Sequence, residues 1–340
     1  MTSIRENSID LLRACAIALV ITAHTVLAYG APPNLAPLQL GGTGVDLFFV
    51  LSGWLLGGQL SREYMRTGAI NLQRFWVRRW MRTLPAYYAV LTLTFLQQLI
   101  TYPEKPLRLD YLAFLQNYAD TLPYFSVSWS LCVEEHFYLL IGPAIIFLGA
   151  IGRWRWGIVA LLLAAPFIFR QLGWYGSLEE THVRIDGCML GVALAVCRDR
   201  LPKAWNALAK MAPALAGTAL LLYLGSYAGR WFPSLGMPRL DIGAYAVIFA
   251  SILLFANRSP GIQSKLYVPG SRYIALRAYS LYLLHPEVLA LLKRFGGDLP
   301  FPLFYAIAWA GSCLLAEALY RMIEKPFMDA RDRFKFEMSR

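Results

Sequence analysis

The sequence predicts an all-α, polytopic integral membrane protein with about ten transmembrane helices and both termini cytoplasmic. Three observations lead there. The 340 residues are 57% apolar in type and only 16% charged, against ~25% charged in an ordinary soluble domain. The mean hydropathy is +0.46, and a soluble chain of this length has no single core that could hide so much apolar surface. Finally, ten stretches approach the ~20 mostly apolar residues that cross a bilayer.

Those stretches are 9–29, 41–60, 83–101, 131–150, 156–172, 186–198, 208–227, 240–256, 274–292 and 302–321. The sixth is short, so a tilted or re-entrant segment is expected there. Turn-forming runs separate the spans, for example Ala31-Pro32-Pro33-Asn34, Asn257-Arg258-Ser259-Pro260-Gly261 and Pro269-Gly270-Ser271. No repeat is visible and no linker suggests a second soluble domain, so 1–340 is expected to be a single transmembrane domain.

The net charge of +11 tests this layout. Ten spans put both termini on one side. That side then holds 23 of the 32 Lys and Arg residues and the other side eight, with Arg13 inside the first span. The excess marks the cytoplasmic side. A cleaved signal peptide ending near Ala28-Tyr29-Gly30 competes for the N-terminus. Arg13 and His24 inside its apolar run argue against it. The five cysteines, Cys15, Cys132, Cys188, Cys197 and Cys313, show no CxxC or Cys/His zinc spacing. They are expected to be reduced and buried, and no metal site is expected.

Ionisable groups inside spans are costly and point to function. Arg13 and His24 lie eleven residues apart on one expected helix. At ~100° and ~1.5 Å per residue they project from one face, ~16 Å apart along the axis. Asp46 is placed just inside the outer end of the second span. Glu134 and Glu135 begin the fourth span on the same outer side, and His182, Arg184 and Asp186 lead into the sixth. The segment Arg74-Phe75-Trp76-Val77-Arg78-Arg79-Trp80-Met81-Arg82 mixes basic and aromatic residues on the cytoplasmic side. It reads as an interfacial helix on anionic lipid or as a site for a phosphorylated cofactor, since arginine grips phosphate well. No nucleic acid is expected. Cys132 with His136 is a weak nucleophile pair, and His285 before Pro286 is either a second catalytic group or a satisfied polar residue at a helix break.

These motifs together resemble the membrane-bound acyltransferase 3 family across nearly the whole chain. The segment from Ile9-Asp10-Leu11-Leu12-Arg13 to His24 is similar to its Arg-(ten residues)-His signature. Gly44-Val45-Asp46 through Gly53-Trp54-Leu55 is similar to its second-helix motif. Arg78, Arg79, Arg82 and Pro85-Ala86-Tyr87-Tyr88 resemble its basic loop, and Ser128-Trp129-Ser130-Leu131-Cys132-Val133-Glu134-Glu135 its Trp-Ser-Leu-x-Val-Glu-Glu block. Arg184-Ile185-Asp186-Gly187, Tyr279 through Pro286, and Ile323-Glu324-Lys325-Pro326 resemble later blocks. His136 and Cys132 depart from the Gln and Ser common in the family. The chain stops soon after the tenth span, so the hydrolase-like domain fused to some relatives is expected to be absent.

The resemblance implies O-acyl transfer from an acyl-coenzyme A, with acetyl-coenzyme A the expected donor, to a hydroxyl of a cell-surface polysaccharide or glycolipid. No permanently bound cofactor is implied. A hydroxyl needs a base to take its proton, and histidine titrates in the right range. His24 is the expected base. Asp46, then Glu134 or Glu135, is the expected carboxylate orienting it. Arg13 would line the donor path, and Arg78, Arg79 and Arg82 would hold the donor's phosphates. Ser52, Ser130 and His24 are possible covalent carriers. The expected partners are acyl-coenzyme A, a glycan or lipid-linked glycan, and membrane lipids, in a bacterial inner membrane. The competing readings are an acyltransferase for a small-molecule acceptor and a non-enzymatic transporter.

Overall fold

The structure is a computed structural model and describes residues 7–104, 106–150, 155–237 and 239–333. Arg5, Lys105, Arg153, Lys335 and Arg340, which enter the charge tally, lie outside the described residues. Among the described residues there are helices and no strands. The long elements are α1 (Asn7–Ala28), a 3₁₀ segment (Ala36–Thr43), α2 (Gly44–Thr67), α3 (Leu72–Thr101), α4 (Trp129–Ala150) and α5 (Arg155–Leu172). They are followed by a short α6 (Thr181–Arg184), α7 (Asp186–Arg200), α8 (Pro202–Trp231), α9 (Ile242–Asn257) and α10 (Pro260–Lys265). The chain closes with α11 (Ser271–Phe295), α12 (Phe301–Leu319), a π-helical turn (Tyr320–Glu324) and α13 (Lys325–Arg333).

All ten expected segments are helical. Among the described residues, six helical stretches are long and apolar enough to cross a membrane: Asn7–Ala28, Ala36–Thr67, Ser126–Ala150, Arg155–Leu172, Pro202–Trp231 and Phe301–Arg333. Their outer surfaces suit lipid. On α5 only Pro166 and Arg170 are buried, while Leu161 is 61% and Phe167 53% exposed. On α8 Leu221 is 72% exposed. An apolar helix left bare along most of its surface needs a hydrocarbon solvent. The chain is thus a multi-pass membrane protein.

Two expectations change. The basic segment 74–82 is no separate interfacial helix. It is the first half of α3, which runs without interruption from Leu72 to Thr101 with Pro85 inside it. Asn71 starts the helix: its side chain accepts from Arg74 N at 2.8 Å, and Glu63 Oε1 accepts from Asn71 N and pairs with Arg74, both at 3.0 Å. Nor are all five cysteines buried. Cys132 and Cys188 are, Cys197 and Cys313 are half-buried, and Cys15 is exposed on α1.

The chain divides into two units. The first comprises residues 1–62, 186–278 and 289–309. Its defining contact is α2 on α7. Gly53 and Gly57 on α2, and Gly187 and Gly191 on α7, are each one turn apart. A Cβ on Gly53 would overlap the carbonyl of Cys188, one on Gly191 the carbonyl of Val50, and one on Gly57 would lie 2.8 Å from Val192. Small residues at i and i+4 let two backbones touch, which is the main packing device between membrane helices. The contacts climb together, from Gly187 on Phe49 to Gly58 near Ala195, so the two helices run parallel. Around them Ile9, Leu12 and Ala16 of α1, Trp54 of α2, Trp205 of α8 and Leu253 of α9 close a core. Ser8 Oγ donates to Asn257 at 2.9 Å, joining the start of α1 to the end of α9.

The second unit comprises residues 63–185, 279–288 and 310–340. Its long 102–128 connection is fastened to α3 through Tyr87. The Tyr87 hydroxyl donates to the Tyr111 carbonyl at 2.8 Å and accepts from Gln116 at 3.1 Å, and its ring stacks on Phe114 at 4.3 Å. Phe114 and Phe125 sit at φ 57° and 48°, a left-handed conformation that bulky residues adopt only when packing over-determines it.

The glycine contact yields a stability prediction. Gly53→Ala or Gly191→Ala puts a methyl against backbone that cannot swing away, and overpacking of this kind costs ~1–3 kcal/mol or more. Gly217→Ala on α8 meets open space. Thermal unfolding in detergent should show the first two melting several degrees below wild type and the third unchanged.

Candidate functional site

In the first unit α1 is one unbroken helix through both Arg13 and His24, so the pair does share a face ~16 Å apart. Both are half-buried. Ile17, Val20 and Ile21, between them, are completely shielded. That side of α1 therefore faces protein and not lipid. Near His24 the Thr22 hydroxyl bonds Tyr305 of α12 at 2.9 Å, which fixes α12 against the C-terminal half of α1.

Asp46 is 2% exposed. Its depth differs from the level of His24 expected for the end of a span. The 3₁₀ segment descends alongside α1 first, with Gly41 against Leu19 and Gly44 against Ala16, Leu19 and Val20. Asp46 therefore enters beside the stretch between Arg13 and His24. Asp186 begins the parallel partner helix at the same end and is also buried, its carboxylate accepting from Gly187 N at 3.0 Å. Carboxylates in first turns are favoured by the free N–H groups there. At the opposite ends of α2 and α7 stands a cationic cluster. Arg62 and Arg198 pair with Asp199 at 2.9 and 3.0 Å. Arg198 also covers Trp54 at 4.1 Å, and Arg200 donates to Ser61 at 3.1 Å.

Glu134, Glu135, Arg78, Arg79 and Arg82 belong to the second unit. Glu135 is buried and accepts from Thr83 Oγ1 at 2.8 Å, with Trp80 also donating to it and Arg79 providing the nearby positive charge. Glu134 accepts from Tyr138 at 2.7 Å, one turn on. The three arginines do not act alike. Arg78 pairs with Asp332 of α13 at 3.3 Å. Arg79 faces the Glu135 carboxylate. Arg82 is half-buried and makes no hydrogen bond or ion pair among the described residues.

The partnerships of other polar groups around these carboxylates were not legible in sequence. Tyr279 donates to the Thr83 carbonyl at 2.9 Å, Ser130 bonds the Tyr282 hydroxyl at 2.6 Å, and Ser280 bonds Glu324. Sequence blocks far apart in the chain thus meet in one buried network, and the π-helical turn is where Glu324 enters it. Cys132 and His136 do not face each other. Cys132 bonds the Ser128 carbonyl at 3.5 Å and His136 Nδ1 bonds Thr181 at 2.7 Å. His285 is completely buried. Its Nδ1–H donates to the Leu281 carbonyl at 3.0 Å.

Residues 6–321 match the family described as an acyltransferase domain, and the chain belongs to that acyltransferase family. It is also similar to the O-acetyltransferase OatA of Staphylococcus aureus (strain NCTC 8325 / PS 47) and of strain COL, at 28% identity over 356 residues, covering 94% of this chain and 56% of each relative. A protein of strain MW2, named provisionally as an O-acetyltransferase, matches to the same extent. The chain spans little more than half the length of these relatives. No solved structure matches it.

The buried carboxylate yields a prediction. Thr83→Val removes a donor from Glu135 and leaves that oxygen in an apolar setting, a loss of ~1–3 kcal/mol. Thr83→Ser keeps the donor and should retain most of the stability. Thermal unfolding of both variants in detergent checks this.

Proposed function

We propose that the protein is a membrane O-acetyltransferase that moves an acyl group from acyl-coenzyme A, with acetyl-coenzyme A the donor, to a hydroxyl of a cell-surface polysaccharide or glycolipid. The proposal includes ten spans with both termini cytoplasmic, in a bacterial inner membrane. The observation that carries it is the protein-facing stripe of α1, where a guanidinium and an imidazole are held ~16 Å apart on one face with shielded side chains between them. The names of the relatives supply the direction of the chemistry.

In this reading His24 accepts the proton of the acceptor hydroxyl as its oxygen attacks the thioester carbonyl. The C–S bond breaks as the C–O bond forms. The coenzyme leaves as a thiolate and takes the proton back from the imidazolium, so an ester and a free thiol are the products. Asp46, buried beside the lower part of the same stretch, is the carboxylate assigned to balance the imidazolium's transient charge, and Glu134 and Glu135 are the alternatives for that role. Arg13 lines the donor's path. Of the three arginines assigned to the donor's phosphates, Arg82 is the one with its donors open, and Arg78 joins it when the contact with Asp332 opens. A planar guanidinium suits phosphate oxygens.

Membrane vesicles supplied with radiolabelled acetyl-coenzyme A test this. His24→Ala should lower acetyl transfer to glycan or lipid by ~10²–10⁴-fold, the usual contribution of a general base, at unchanged membrane levels. Arg82→Gln should raise KM for the donor while leaving kcat largely intact. Near-normal transfer in His24→Ala would sink the base assignment.

A further inference from the structure

At the end of α8 remote from Arg198 and Arg200, a cavity of about 630 Å³ opens within the first unit. Its lining includes Gln39, Ser226, Arg230, Met237, Arg239 and Tyr245. The 30 residues of α8 separate the two ends by ~45 Å, so the cavity lies at the end that the charge bias assigns to the exterior.

Two arginines on one cavity in that position call for an explanation, because the exterior side of a membrane protein is poor in cations. Neither Arg230 nor Arg239 makes a hydrogen bond or ion pair among the described residues. The neighbouring carboxylate, Asp241, caps α9 by accepting from Gly243 N at 2.8 Å. Both guanidiniums are exposed on the cavity, where they offer N–H donors and a double positive charge.

Their juxtaposition is built by the chain. Gly225 and Gly229 lie one turn apart on α8, and Met237 seats on them: a Cβ on either glycine would come within 2.7 or 2.6 Å of Met237. This clamps the loop carrying Arg239 against the helix turn carrying Arg230. Trp231 Nε1 donates to the Asn34 carbonyl at 2.9 Å, which ties the same turn to the opposite, proline-containing wall. The carbonyl end of α8 would by itself repel an anion, so a guanidinium in its last turn makes the mouth attractive to one.

We propose that this cavity is a binding site for a phosphate group, presented either by a phospholipid headgroup or by a phosphorylated sugar. The inference goes beyond the acyl-transfer reading and does not depend on it. Two guanidiniums bind a tetrahedral phosphate through paired charge-assisted hydrogen bonds. The Tyr245 ring and Met237 offer apolar surface to whatever carries the phosphate, and Gln39 adds a neutral donor and acceptor.

The test uses the full chain in phosphatidylcholine nanodiscs. One arm titrates radiolabelled glucose 1-phosphate, and the other follows enrichment of phosphatidylglycerol around the protein by native mass spectrometry. Saturable binding in either arm is expected, weakened about tenfold or more in Arg230→Gln/Arg239→Gln and reduced by added salt. The arm that responds identifies the source of the phosphate. Gly229→Ala, which keeps both charges but unseats Met237, should also weaken binding. Arg230→Lys/Arg239→Lys, which keeps the charge and serves as the folding control, should bind more tightly than the glutamine pair. The proposal is overturned if neither probe binds saturably, or if wild type and the glutamine pair bind equally.

Discussion

The backbone contact between α2 and α7 is the constraint on which the first unit depends. In a bilayer no hydrophobic effect pulls apolar helices together, because lipid tails are as apolar as leucine. Close packing has to supply the attraction, and four glycines at i, i+4 spacing let the two helices approach until backbone meets backbone. A parallel pair fixed this tightly has fixed ends. Asp46 and Asp186 enter at one end, and the cluster of Arg62, Arg198, Asp199 and Arg200 closes the other. A larger residue at any of the four positions would move polar groups at both ends at once.

The second unit solves a different problem, that of keeping carboxylates away from water. An uncompensated charge in a low-dielectric interior is costly enough that it survives only with partners. Glu135 has Thr83, Trp80 and the positive charge of Arg79, Glu134 has Tyr138, and Glu324 has Ser280. Hydroxyls dominate this network. They donate to a carboxylate without adding a second buried charge of their own.

Much of this was legible in the sequence because membranes simplify the code. A run of apolar residues becomes a helix, and a charge within it stands out, which is why Arg13 and His24 could be singled out and why all ten segments are helical. Partnership was not legible. The glycine spacings are visible in the chain, but nothing local says that 53 and 57 meet 187 and 191. Ser130 with Tyr282 and Ser280 with Glu324 are joined only by the fold. The start of α3 is ambiguous in sequence because Arg and Trp alternate there in a pattern that suits a helix lying on a membrane as well as one entering it. The deciding contacts, Asn71 and Glu63 on Arg74, are made by flanking residues. The depth of Asp46 is hidden for a similar reason, since a 3₁₀ segment lowers the start of α2 along α1.

The arginines carry the argument one step further. A net charge of +11 looks uniform in composition, yet the fold gives its arginines different surroundings. Arg62, Arg74 and Arg198 are held by carboxylates at 2.9 to 3.0 Å, and the pairs of Arg62 and Arg74 join one helix to another. Arg82, Arg230 and Arg239 have no such partner among the described residues. Arg82 stands on the helix that carries the basic segment 74–82, and the other two line one cavity at the far end of α8. In the proposed topology the positive-inside bias accounts for the first location. It does not account for the second, where the segment carrying Arg239 is seated by Met237 on two glycines of the helix carrying Arg230. In that topology the two arginines weaken the orienting signal, and the proposed phosphate ligand is the gain that would offset it.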